Sequence, residues 1–588
     1  AEDEEKYLGP TAVVASADGK TLYVACRDGR QLAVVGLPGG QVTRRIELPA
    51  EPTGLVLSPD VARLLVTCAA PNSTVVVLAT GTGEVLARIA AGHTAMGPAI
   101  GPHGRRLYVC NRFDNDVSVI DLAAGKEIAR VKVDRQPVAA AVTPDGRWLL
   151  VANHLPLART DALSADSVAP VVTVVDCTTH ETEEIALADG SMGIRDLRIS
   201  PDGQVAYVTH VLCNFQLTPT QLDMGWANNN VVSVVDVAKR KLVNTVGLDE
   251  PYEGSGNPWG VAATGDGKRV CVSHAGTHEL CVLDAAAARG TLINMFTSPL
   301  IGAIPDDPHA GTRPPRRIKL PGKGPRGLAM VGSTVYVAEY FSDTLAVVEL
   351  DAKQDAKPGS IALGPKPKLT ERRRGEMLFN DATICYQRWQ SCASCHPDGR
   401  EDALNWDLMN DGMGNFKNTK SLLLAHKTSP AMAEAVRETA EAAVRAGIEG
   451  ILYTTRPEED ARAIDAYLKS LRPVPSPQLV DARLSPAAGR GGKLFEGSRG
   501  GCYKCHPAPL YTDRRKHNVG SKEPYGYADR FDTPTLVEVW RTAPYLHDGR
   551  YLTVKDLIVE GKHGKTWGEV EKLSGQELAD LVEFVLSL

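Results

Sequence analysis

Short apolar runs, each opened by a polar turn, recur along the chain as far as about residue 363. Turn and strand read Asp18-Gly19 with Leu22-Tyr23-Val24, Pro59-Asp60 with Leu64-Leu65-Val66, and Pro102-His103-Gly104 with Leu107-Tyr108-Val109. Pro144-Asp145-Gly146, Pro201-Asp202-Gly203, Asp266-Gly267, and Gly332 with Val335-Tyr336-Val337 continue the series. A second, Val-rich strand follows each, such as Val117-Ser118-Val119-Ile120-Asp121. The intervals from Asp18 to Asp60 to His103 to Asp145 are 42, 43 and 42 residues. Four short strands per such period predict a β-propeller, whose four-stranded sheets bury their faces on one another around an axis. Seven units predict seven blades over residues 1–363. The period then lengthens to 57, 64 and 67 residues, which places extra segments near 154–170, 211–230 and 285–320. The first two follow the same strand of their blades and are expected on one face; the third, rich in Pro and Arg, reads as extended.

From residue 371 the periodicity becomes that of amphipathic helices, and a second repeat appears. Gly375-Glu376-Met377-Leu378-Phe379 precedes Cys392-Ala393-Ser394-Cys395-His396, and Gly491-Gly492-Lys493-Leu494-Phe495 precedes Cys502-Tyr503-Lys504-Cys505-His506. Each block closes on an amphipathic stretch, Ala461 to Leu471 and Gln576 to Leu588. A Gly and an aromatic on a first helix that packs on a last one follow the class I cytochrome c plan. Two such α-helical domains are expected, 371–474 and 485–588, around a linker bearing Pro473, Pro475 and Pro477. Two thiols on one turn reach the two vinyl groups of a porphyrin, and the adjacent His ligates the iron. Cys392, Cys395 and His396, with Cys502, Cys505 and His506, are therefore expected to bind two covalent haems c, His396 and His506 being proximal ligands.

The propeller repeats resemble the YVTN family. Asp532-Thr533-Pro534-Thr535-Leu536 and Arg541-Thr542-Ala543-Pro544-Tyr545-Leu546-His547-Asp548-Gly549-Arg550 resemble the bacterial di-haem cytochrome c peroxidase and MauG family, as does Lys417-Asn418-Thr419-Lys420-Ser421-Leu422. That resemblance implies a calcium ion between the haems, held by Asn418 and the carbonyls of Thr542 and Pro544. The pairing of a propeller with such a cytochrome also resembles the β and γ subunits of hydrazine synthase, fused into one chain.

The sixth ligand decides whether a haem carries electrons or does chemistry. No Met follows Met432, so a Met ligand from the second unit is excluded; His563 is the expected distal ligand there, with His517 the competitor and His547 a neighbour. Near the first haem, Asn410 to Asn415 holds no His where the family has one. An open distal side, Met409 or Met413, or His426 all remain, and Glu434 or Tyr453 are candidates for an acid–base group. Cys385 reads as a buried thiol, with a third sulfur bond to that haem as the alternative. Trp406 or Trp389 is the candidate residue between the haems.

Composition adds little to this. A net charge of −6 and pI near 6.2 give no reason to expect nucleic acid or an anionic membrane as partner, and no apolar run reaches the length of a membrane span. Haem attachment and an opening Ala1 without Met fit an exported, periplasmic protein. Cys26, Cys68, Cys110, Cys271 and Cys281 lie in strand-like runs and read as small core residues. Asn111, Asn153, His210, His274 and Glu339 end the same strand of different blades; they read as polar loop residues facing solvent or the partner domain rather than as metal ligands. The leading functional expectation is an oxidoreductase whose first haem reacts with peroxide or another small molecule. Its second haem relays electrons from a small cytochrome or cupredoxin, and the propeller docks or gates. The alternatives are a non-enzymatic two-haem carrier and a hydrazine synthase βγ-like subunit.

Overall fold

A computed structural model describes residues 7–161, 164, 166–215, 227–250, 252–290, 315–353, 356–366, 368–408, 415–522 and 526–588. The repeated turn signal has a local cause. In Thr264-Gly265-Asp266-Gly267-Lys268 the Thr264 hydroxyl donates to Asp266 at 2.6 Å and the Asp266 carboxylate accepts the Lys268 amide at 3.1 Å. The glycine after the aspartate takes φ of 70°, a left-handed value that glycine adopts without steric cost.

These turns join strands into seven four-stranded antiparallel sheets, each of four consecutive strands, running from Pro10–Ala15 to Gly359–Ala362. In every blade the second strand is almost wholly buried, as in Thr21–Cys26, whereas the fourth is more exposed and in the first six blades carries charged residues, as in Gln41–Glu47. Such outer edges discourage pairing with another chain. The first strands pack side by side in a ring, with Pro325–Val331 returning to Pro10–Ala15. The seam carries no exchanged strand. The Leu8 and Gly9 amides donate to Asp343 at 3.0 and 2.9 Å and tie blade one to blade seven.

The helical region begins with Glu371–Asn380, which crosses Glu458–Ser470; Pro486–Glu496 crosses Gly575–Leu586 in the same manner. Each crossing is built on glycine. A Cβ on Gly375 would lie 1.7 Å from the Ala463 carbonyl oxygen, and one on Gly491 would lie 1.9 Å from that of Asp580. Phe379 meets Tyr467 at 5.3 Å and Phe495 meets Phe584 at 5.1 Å, so the internal repeat of the sequence is a repeat of packing. Among the described residues no helix is long and apolar enough to cross a membrane.

This region lies on the propeller face reached by the first two inserted segments. Thr160 donates to Asn405 at 2.9 Å, and Asn228 donates to Gln390. The tip 216–226 and residues 291–314 of the third insertion lie outside the described residues. Asn111, Asn153, His210, His274 and Glu339 correct their expectation, for all five are fully buried rather than facing solvent. Each holds its own blade together: Asn111 accepts the Gly92 amide at 2.9 Å, His210 Nε2 sits 2.7 Å from Ser233, and Glu339 accepts the Gly322 amide at 2.6 Å. A polar side chain at the end of a buried strand satisfies loop amides that would otherwise be orphaned. The five strand cysteines are buried and free, as expected.

Asp381, just after the first helix, lies 3.2 Å from His278 Nε2 and 3.7 Å from Lys323 Nζ of the propeller. Burial opposes its ionisation, but the His278 contact, Thr383 and Lys323 outweigh that and hold the carboxyl down to about 2. Its folded value is below the unfolded one, so the contribution is present above pH 4 and is lost as pH falls towards 2. Asp381→Asn should cost about 2 kcal/mol at pH 7 and much less at pH 2. Urea denaturation at the two pH values checks this; an equal cost at both would contradict it.

Candidate haem-binding sites

The two Cys-x-x-Cys-His segments are built alike. Cys392–Cys395 is one helical turn opened by a reciprocal Ser391–Ser394 capping box, and Cys502–Lys504 is a tighter 3-10 turn. His396 Nδ1 lies 2.9 Å from the Arg400 carbonyl and His506 Nδ1 lies 2.9 Å from that of Tyr511. A nitrogen facing a carbonyl must carry the proton, so each ring presents Nε2 as a lone pair. Burial holds both imidazoles below their ordinary pKa, hence neutral. Neutral, oriented histidines beside paired thiols fit covalent haem.

The surroundings differ. Around the first motif a small cavity is lined by Ala227, Gln390, Cys395, Trp406, Leu408, Ile451 and Tyr453. Trp406 Nε1 donates to Asp402 at 2.8 Å, and burial pushes the Asp402 carboxyl up to about 7. Blades five and six grip this motif directly. Asn257 donates to Ser391 and accepts from Ser394, both at 2.7 Å; the Gly254 amide donates to the Gln387 carbonyl at 2.7 Å. Asn228 Nδ2 lies 3.7 Å from Cys395 Sγ, and the Cys213 thiol donates to Asn228 at 2.9 Å. Sequence reasoning missed Ala227, Asn228, Asn257 and Asp402; the lengthened fifth blade was the only available signal for the first two.

Of the two acid–base candidates and the possible distal ligand His426, Tyr453 lines the cavity with Cys395. Glu434 accepts from Asn415 at 2.8 Å and sits 3.4 Å from Lys417, while the neighbouring Ala433 carbonyl accepts the Asp532 amide. His426 Nε2 is 2.9 Å from Asp465, which also binds Arg445. Met409 and Met413 lie outside the described residues. Cys385 is buried, shares the core that flanks Cys392, and has its thiol pushed up to about 11. Trp389 is buried and its carbonyl accepts from Asn230 of the propeller at 3.2 Å, so it faces the blades.

Around the second motif, burial holds the His563 imidazole down to about 4, and the nearby His506 ring adds to this. His517 is instead ion-paired to Asp513 at 2.7 Å, and the Asp513 amide donates to the Cys505 carbonyl at 2.8 Å, which sets His517 beside the attachment loop. His547 stacks on Phe531 with centroids 3.6 Å apart, and its carbonyl accepts the Asn418 amide at 2.6 Å. Asn418 and Pro544 both close on Gly549, where an added Cβ would lie 2.8 and 2.9 Å from them, and the Asn418 side-chain nitrogen is buried without a partner among the described residues. Thr542 follows the turn Val539–Arg541 and its hydroxyl donates to the Val539 carbonyl at 3.2 Å. The two helical units meet through Arg400 and Glu538, with two contacts of 2.8 Å, and through Lys420 and Asp532 at 2.8 Å.

No protein-family model matches the chain. Hydrazine synthase subunit gamma of Kuenenia stuttgartiensis is 30% identical over 271 residues, 37% of this chain and 77% of that protein. Hydrazine synthase subunit beta of the same organism is 26% identical, and the chain spans about half of it, 51%. Methylamine utilization protein MauG of Methylophilus methylotrophus is 25% identical over 45% of this chain and 95% of that protein. Among solved structures, a chain of Kuenenia stuttgartiensis hydrazine synthase matches with a TM-score of 0.52 at 23% identity, covering 60% of this chain and 99% of its own length, which speaks for the fold. The chain therefore belongs to the family of hydrazine synthase subunit gamma, distantly related to the di-haem cytochrome c peroxidase and MauG proteins, and joins to it a seven-bladed propeller related to the beta subunit.

Proposed function

We propose that this chain is an exported di-haem c-type oxidoreductase with an enclosed, reactive first haem at His396 and an electron-relaying second haem at His506. The reading rests on one asymmetry. The first motif borders a cavity walled partly by the propeller, with Tyr453 and Trp406 in its lining, whereas the second has His563 near His506. Cys392 and Cys395, with Cys502 and Cys505, would hold two haems within class I cytochrome c domains spanning 371–474 and 485–588. When bound, the first haem supplies a centre for redox chemistry on a small molecule, peroxide or a nitrogen compound. The protein's own part is to orient His396 through the Arg400 carbonyl, to screen the cavity with Ala227 and Asn228, and to hold a proton at Asp402 close to neutral pH. Tyr453 is the proposed acid–base group. His426 and Glu434 serve structural ion pairs, and Asn418, Thr542 and Pro544 would take calcium between the units.

Near the second motif Tyr503 and Trp567 are exposed, a surface suited to a small cytochrome or cupredoxin. The likeness of one chain to two subunits of the same enzyme favours nitrogen chemistry as the second reading. Low-temperature EPR of the oxidised protein tests the asymmetry. A high-spin ferric signal beside a low-spin one, the former consumed by hydrogen peroxide or by hydroxylamine, is the expected result. Two low-spin signals indifferent to both would leave a non-enzymatic two-haem carrier instead.

A further inference from the structure

Away from the haem motifs, five arginines gather where the blades meet. Arg27 follows the second strand of blade one and Arg112 that of blade three; Arg195 and Arg326 lie on the first strands of blades five and seven, and Arg373 comes from the first helix. Residues of such distant blades approach one another only at the axis of the ring. Arg195 and Arg326 both lie 4.3 Å from the ring of Trp259, on the first strand of blade six, and Arg326 lies 3.6 Å from Tyr340.

The charges do not cancel. Arg27 pairs with Glu51 at 2.9 Å, and Arg373 pairs with Asp28 and Glu376, each at 2.9 Å. Asp398 is shared by Arg112 at 2.7 Å and Arg195 at 3.5 Å. Arg326 has no ion pair or side-chain hydrogen bond among the described residues, although it is only 7% exposed and its Nε is buried. Burial and the repulsion of Arg27 pull its pKa down, and Arg195 suffers the same from Arg326. Stacking on an aromatic ring offsets only part of what an unpaired buried charge costs. The place is nonetheless wet, since the side chains of Asp398 and Arg27 are 36% and 43% exposed.

We propose that Arg326, Arg195 and Arg112 form a binding site for a small oxyanion at the propeller axis, outside the haem cavities. Guanidinium forks match the oxygens of such an anion, and the aromatic shelf of Trp259 and Tyr340 holds two of them in place. Asp398 is two residues beyond His396, so the site lies where the propeller meets the loop of the first haem. A metal-free anion site on the propeller goes beyond the redox reading and does not depend on it.

The test is calorimetric titration of the haem-loaded protein with sodium sulfate in a sodium chloride background of matched ionic strength. One saturable site is expected, and Arg326→Gln should weaken it at least tenfold with an unchanged circular dichroism spectrum. Arg44→Gln, an exposed arginine of an outer strand, should bind as the parent does. No saturable heat in the parent, or Arg326→Gln binding as tightly as the parent, overturns the site. Should Arg326→Gln fail to fold, Asp398→Asn removes a competing carboxylate and must tighten sulfate binding; unchanged or weaker binding overturns the proposal. A parent that binds no sulfate while Arg326→Gln shifts the first haem's midpoint potential would assign these charges to the haem's own carboxylates, which also overturns it.

Discussion

Arg135→Ala is expected to loosen the helical region from the propeller and to cost about 3–5 kcal/mol, the range for removing one partner of a buried ion pair. Arg135 is 6% exposed and joins three parts of the chain. Its guanidinium donates to the Pro156 carbonyl of the propeller at 3.0 Å and to Glu401 of the first helical unit at 3.2 Å. It also donates to the carbonyls of Arg541 and Ala543 in the second unit, the latter at 2.6 Å. Without it Glu401 is left in a site where burial already raises its pKa, so it will take up a proton, which caps the cost. Arg135→Lys should recover only part, because an ammonium lacks the planar fork that serves several acceptors at once. Urea denaturation followed by haem absorbance and by far-ultraviolet circular dichroism checks this. The two midpoints should separate in the variant; coincident curves at the parental midpoint would show that Arg135 is no clamp.

His563→Ala should turn the second haem from low-spin to high-spin, while His517→Ala leaves it low-spin. The contrast follows from their surroundings. Burial keeps His563 neutral and it lies near His506, whereas His517 is committed to Asp513. His563→Met should keep the iron low-spin and raise the midpoint potential, because thioether ligation favours the reduced state, within the ~0.8 V span that axial ligands set. Absorption and EPR spectra with a redox titration read all three variants. A second haem that stays low-spin in His563→Ala would remove His563 from the iron.

The periodicity was enough for the blade count because a tight turn opens the second strand of every blade, built on the same Ser/Thr–Asp contact in five of the seven, and the glycine–aromatic spacing was enough for the helix crossings. Much of the site was not legible. Asn111, His210 and Glu339 look the same in sequence whether they face water or close a buried strand end; only the loop amides they meet decide. Asn228 and Asn257 gained their place from the docking of one half on the other, which no local pattern encodes. Arg326 sits in an otherwise ordinary apolar strand, where a charge signals an exception without saying what answers it. Glu434 and His426 were drawn as candidates by residue type, and their ion-pair partners lie far enough along the chain, as with Asp465 for His426, that sequence could not pair them.

The grip of blades five and six on the first Cys-x-x-Cys-His has a consequence for how the protein is made. Asn257 occupies both serines around Cys392, and Asn228 Nδ2 stands 3.7 Å from Cys395 Sγ, so closure of the two halves narrows the approach of a haem-attaching enzyme to these thiols. The second motif makes no such contact with the blades among the described residues. If the first motif carries the haem proposed above, loading would precede closure, and the propeller would act as a one-way shutter on biogenesis that seals a finished site and hinders a late cofactor.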